Sequence, residues 1–182
     1  MAVRIAVGDE SFDEIRKSGL YYVDKTELIY DLVENTNNKV TLFTRPRRFG
    51  KTLNLTMMES FFDISRDSRN VFDGLCVTKH KSFCTEWMNQ YPVLFLSLKD
   101  VDGLDFESAY ISLKGTISDV CFKYSGILEN DKADPIDRAT FKALKEKNVN
   151  PAEMKSSLKT IMRMMNAVYG KPVILLIDEY DV

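Results

Sequence analysis

Cysteine is scarce and poorly paired in this sequence. Cys76, Cys84 and Cys121 are the only three. Their number is odd and no CxxC occurs, which excludes a disulfide framework and fits reduced thiols in a cytoplasmic protein. Long apolar runs are also missing. The strongest covers residues 173–177, far short of a bilayer span, so no membrane partner is expected. Residues 1–10 meet their first acid at Asp9 and lack an apolar stretch long enough for a signal peptide. Charge of one sign is lacking too. The formal net charge is −2, which indicates neither a nucleic-acid nor an anionic-membrane partner. No repeat or low-complexity segment occurs.

What remains is ordinary for a globular chain. At 182 residues, with 45% hydrophobic and 29% charged, one domain with a real core is expected, with room for an insertion. Residues 11–18 read as a short helix and 21–23 as a brief extended piece. Residues 24–34 read as a helix with Leu28, Ile29, Leu32 and Val33 on one face. Asn35 to Asn38 form a turn cluster. A β-rich run over 40–44, a loop over 45–50 and a helix over 51–63 follow. Residues 65–90 are polar and irregular, anchored at Phe72, Leu75, Phe83 and Trp87.

Pro92 opens a second buried strand, 93–98. Phe106, Tyr110, Leu113, Ile117, Val120 and Tyr124 then make a helical stripe. Residues 126–137 look like a linker, and a short helix covers 137–147. Asn150 and Pro151 suit a helix start. Met154, Leu158, Ile161, Met165 and Val168 continue its stripe to Gly170, a plausible stop. A third buried strand, 172–177, closes the chain. This order implies an α/β sandwich with a largely parallel sheet.

Two segments carry chemistry. Arg45-Pro46-Arg47-Arg48-Phe49-Gly50-Lys51-Thr52 matches the phosphate-loop template at its last three positions, with Arg45 where glycine is usual. A loop entering a helix presents free backbone N–H groups and the positive end of the macrodipole to phosphate. Gly50 permits close backbone approach. Lys51 would reach the terminal phosphates of ATP, and Thr52 would put a hydroxyl on Mg²⁺. Arg47, Arg48, Phe49 and Leu53 complete the expected nucleotide-binding set. At the arginines, phosphate contact and structural ion pairing are both open.

The second segment is the apolar run 173–177 that ends in Asp178 and Glu179. Acids at the C-terminal end of a buried strand lie where α/β folds hold ligands. Asp178 would support Mg²⁺ and Glu179 would polarise the attacking water. Asp181 is a further candidate beside them. One strand, 93–98, separates the two motifs in sequence, and no guanine-reading Asn-Lys-x-Asp is present. Cys76, His80 and Cys84 stand four apart. A continuous helix would set the cysteines about 12 Å apart along its axis, too far for one zinc. Residues 154–165 are Met-rich, which suits core packing or an adaptable face. Tyr21 and Tyr22 suit core or surface packing, with stacking on adenine as the other reading.

Tyr21-Tyr22-Val23-Asp24-Lys25-Thr26, the segment 44–55, Tyr91-Pro92-Val93 with Phe95-Leu96-Ser97, and Ile177-Asp178-Glu179-Tyr180-Asp181 together resemble the bacterial AAA-ATPase-like family. The resemblance spans nearly the whole chain. It implies a three-layer P-loop NTPase-type sandwich that binds ATP with Mg²⁺ and hydrolyses it in complete form. It also implies that Arg45 is the family's usual residue at that place. Members often carry a PD-(D/E)XK nuclease-like domain after the ATPase. This chain stops five residues after Ile177, so the sheet is expected to be incomplete at its C-terminal side and nuclease activity is not carried over. A bare sheet edge would favour self-association. Two other outcomes remain open: a nucleotide-gated interaction module with negligible hydrolysis, or an inactive fragment.

Overall fold

In the computed structural model, residues 4–6, 8–34, 39–44 and 49–180 are described. The chain divides into two compact units, Met1–Tyr91 and Pro92–Val182. Each is taken by itself.

In the first unit, Ser11 caps helix α1 (Phe12–Lys17) by accepting from the Glu14 amide. Acids occupy the first turn of α1 and bases the last, matching the macrodipole. Helix α2 (Glu27–Glu34) starts three residues later than the apolar pattern suggests. Asp24 causes the delay, because its Oδ1 accepts from both the backbone N–H and the hydroxyl of Thr26. This local turn competes with the helix.

Helix α3 (Lys51–Phe62) is the axis of the unit. From Leu55 onward it buries Met57, Met58, Phe61 and Phe62. Phe12 and Phe61 both pack on Phe72, and Phe61 also stacks on Phe83. The Thr56 hydroxyl accepts from the Phe12 amide at 3.2 Å, tying α3 to the start of α1.

Residues 65–90 are more regular than expected. They form α4 (Arg69–Phe72), a 3-10 turn (Cys76–Lys79) and α5 (Lys81–Trp87). Elements this short show no clear period, so composition alone hid them. Their apolar anchors Phe72, Leu75 and Phe83 are buried. Asn89 takes a left-handed conformation. Its side-chain amide donates to the Ser60 and Asp63 carbonyls, and its Oδ1 accepts from the Ser68 amide.

The strand expected over residues 40–44 does not form. None of these residues pairs in a sheet, and Val40 and Leu42 are exposed. β-rich composition describes a side-chain preference, but a strand also needs a partner for its backbone. The turn cluster Asn35–Asn38 lies outside the described residues.

The second unit is built on two parallel strands, β1 (Val93–Ser97) and β2 (Ile174–Asp178). They pair in register from Val93 opposite Ile174 to Ser97 opposite Asp178. Between them run α6 (Phe106–Lys123), α7 (Pro135–Lys145), α8 (Pro151–Lys155) and α9 (Ser157–Tyr169). Asp105 and Asp134 cap α6 and α7. Asn150 and Glu153 form a complete capping box on α8, which satisfies orphan donors reciprocally. Gly170 ends α9 with φ 67°.

Leu94, Leu96, Ile117, Phe141, Leu144, Ile161, Met164 and Met165 make the core. The Met-rich helix therefore serves packing. The expected helical stripe over 154–168 is interrupted at Ser156, which ends α8 and precedes α9. The segment 126–137 is not a linker. It holds a 3-10 turn (Ser125–Glu129) and the start of α7, and buries Ile127 and Ala133 in that core. Two small anchors suffice to fix a polar segment, and its composition conceals them.

The described architecture is thus mixed α/β, mainly helical, with a two-stranded parallel sheet. No helix among the described residues is long and apolar enough to cross a membrane.

Candidate functional site

The expected site residues fall in both units. In the first, Gly50 is the N-cap of α3 and adopts φ 75°, ψ 32°. A residue with a Cβ resists this left-handed conformation. Lys51 and Thr52 open the helix, with Leu53 following, and the first turn carries no acid. Phe49 is exposed just before the cap. The arrangement is a loop-to-helix junction whose leading N–H groups have no intrahelical acceptor. Arg45, Arg47 and Arg48 lie outside the described residues.

Sequence reasoning missed one neighbour of this junction. The Lys25 Nζ lies 4.0 Å from the point where a Gly50 Cβ would sit. Lys25 belongs to the Tyr21–Thr26 motif, yet no spacing rule links it to Gly50. The contact is tertiary.

The residues flanking Lys25 are locked. Asp24 Oδ2 accepts from the Cys76 amide at 2.7 Å, and the buried Thr26 Oγ1 accepts from the Val77 amide at 3.1 Å. Burial alone would raise the Asp24 pKa. The hydrogen bonds from Thr26 and Cys76 outweigh it and hold the carboxyl below its ordinary value.

Tyr22 and Tyr21 differ in availability for stacking. The Tyr22 hydroxyl donates to Met57 Sδ and its ring meets Phe12 edge-on. Burial, opposed by the Lys25 backbone, pushes the phenol up to about 12. Tyr21 is exposed and bridges to Ile5.

The Cys76, His80 and Cys84 set is spread over separate tasks. The Cys76 amide serves Asp24. His80 stacks on Tyr30 and bonds Glu27 at 2.8 Å. The Cys84 thiol donates to the Val77 carbonyl.

In the second unit, Asp178 is buried at the C-terminal end of β2, opposite Ser97 of β1. Its carbonyl accepts from the Leu98 amide at 3.0 Å, so the pairing continues to the strand end. Glu179 follows at φ 52°, a left-handed conformation uncommon for glutamate. Such outliers cluster at functional sites. Asp181 lies outside the described residues.

A family model described as a predicted AAA-ATPase matches residues 6–182. The chain belongs to this AAA-ATPase-like family. It is also 28% identical over 179 residues to an uncharacterized protein in the vnfD 5' region of Azotobacter chroococcum mcd 1. That match covers 98% of this chain and 29% of the relative. The chain therefore spans less than a third of the length of this relative. No solved structure matches.

Proposed function

We propose that this AAA-ATPase-like chain binds ATP with Mg²⁺ at the N-terminus of α3, as the nucleotide site of an ATPase. One observation carries the reading: Gly50 turns left-handed and delivers Lys51 and Thr52 into the first turn of α3. A helix N-terminus entered through such a turn, with a lysine in its first turn, favours phosphate through its dipole and backbone donors. The finer architecture we infer is a three-layer P-loop sandwich.

The donor chemistry fits Mg²⁺. Mg²⁺ characteristically takes few protein oxygens and completes its shell with phosphate and water. Thr52 would offer one such oxygen at the head of α3, and Asp178 is the acid expected to support the metal from the second unit's sequence motif. Bound Mg²⁺ would neutralise charge on the terminal phosphates. Gly50 lets the backbone approach the phosphates, Lys51 binds their oxygens, and Phe49 and Leu53 flank the nucleotide, with Arg47 and Arg48 assigned to the same binding set. Glu179 is the residue we assign to polarising the attacking water. A cytoplasmic location and self-association belong to the same reading.

Titration of the chain with Mg·ATP, followed by phosphate-release assays, tests it. Wild type should bind, and Lys51→Ala should abolish binding. Glu179→Gln should bind and lose turnover. Failure of wild type to bind, or Lys51→Ala binding as wild type does, would refute the proposal. Binding without turnover that Glu179→Gln leaves unchanged would favour a nucleotide-gated interaction module.

A further inference from the structure

The positive pole of a helix disfavours cations and favours anions. The first turn of α3 nevertheless contains Lys51 and no acid, and a second ammonium, Lys25, stands beside its cap. We propose that Lys25 is a second phosphate-binding lysine, acting with Lys51 on the terminal phosphates of the bound nucleotide. The inference rests on the nucleotide reading of this site and adds a residue to it.

Lys25 is held beside the junction rather than simply being a surface lysine. Its neighbours are fastened on both sides, Asp24 to Thr26 and the Cys76 amide, Thr26 to the Val77 amide. Its own carbonyl accepts from the Leu28 amide at 3.1 Å as α2 begins. Three consecutive residues therefore divide the work. Asp24 and Thr26 anchor the backbone, and the exposed Lys25 side chain extends to Gly50. The Lys25 ammonium therefore stands at the same helix end as Lys51, 4.0 Å from where a Gly50 Cβ would lie. Two lysines and a helix terminus match the charge of a triphosphate far better than that of a monophosphate.

The test measures affinities of the full chain for Mg·ATP, Mg·ADP and AMP in wild type, Lys25→Met, Lys25→Arg and Lys51→Ala. Lys25→Met should weaken Mg·ATP about tenfold, the scale of one charge pair at a partly solvated site. It should change AMP affinity less than about twofold, because AMP lacks the phosphates that Lys25 would contact. Lys25→Arg should restore most of the loss. Trp87 fluorescence checks that each variant is folded, and Lys25→Gln replaces Lys25→Met if the latter is not. Mg·ATP affinity unchanged in a folded Lys25 variant, with Lys51→Ala defective, overturns the role of Lys25 and leaves the nucleotide site standing. Equal losses for ATP and AMP also overturn it. If wild type binds no nucleotide, the underlying site assignment fails first and takes this inference with it.

Discussion

Replacing Gly50 with alanine isolates the backbone requirement at the head of α3. A Cβ there would lie 3.9 Å from Leu53 Cβ and 4.0 Å from Lys25 Nζ, both ordinary contacts. Steric overlap therefore contributes nothing, and the cost is conformational. The left-handed region costs an L-residue about 1–2 kcal/mol. Alanine recovers roughly 0.4–1 kcal/mol by restricting the unfolded chain. The net loss should be about 1 kcal/mol.

Trp87 is the single tryptophan, sits in the first unit and stacks on Tyr91 with ring centroids 4.7 Å apart. Its fluorescence thus follows the unit that contains Gly50. Urea unfolding of the full chain should show the midpoint lowered by about 0.5 M at unchanged slope. Gly50→Asn should lose less, since asparagine tolerates this region. An unchanged or raised midpoint would mean that the residue does not hold a left-handed cap. A loss above about 3 kcal/mol would mean that the side chain meets a clash, contrary to the distances.

Asp24 titration should weaken the first unit in acid. Its folded pKa is depressed, so its stabilisation is present above the ordinary carboxylate range near about 4 and is lost as pH falls through the folded value. Asp24→Asn should flatten the dependence of the urea midpoint on pH below about 5. Burial raises the Cys121 thiol to about 12. The Cys76 and Cys84 thiols are raised as well but only partly buried, so alkylation at neutral pH should modify them slowly in the native chain and reach Cys121 only on unfolding, as peptide mass mapping would report. Asn150→Ala removes the acceptor for the Ala152 and Glu153 amides. It should cost about 1 kcal/mol, measured by chemical denaturation followed by far-ultraviolet circular dichroism.

Legibility in the sequence followed the range of the forces involved. Asn150, Pro151 and Gly170 act on their own neighbours, so the start of α8 and the end of α9 could be placed from the text. The break at Ser156 could not, because the apolar spacing runs through it. β1 and β2 announced themselves as short, continuously apolar runs, although β2 is only partly buried. Residues 40–44 share that composition without sharing its result, because hydrogen-bond partners are a property of the fold. Gly50, Lys51 and Thr52 were legible as a motif, since their function depends on adjacency. Lys25 was not, because only the folding of residues 24–26 onto 76–77 carries it to Gly50.

That fastening also bears on how the first unit assembles. The amides of Cys76 and Val77 bond to side chains 52 and 51 residues earlier in the chain. Neither bond can form until a loop of that size has closed, and the entropy of closure precedes any return. In a hydrogen-exchange pulse during refolding, these two amides should gain protection late, together with the unit as a whole. The helix-capping amides of Glu14 and Glu153 depend on acceptors three residues away and should be protected earlier. The lysine beside Gly50 would then reach its position only in that last step, so the candidate site would be completed when the first unit finishes folding.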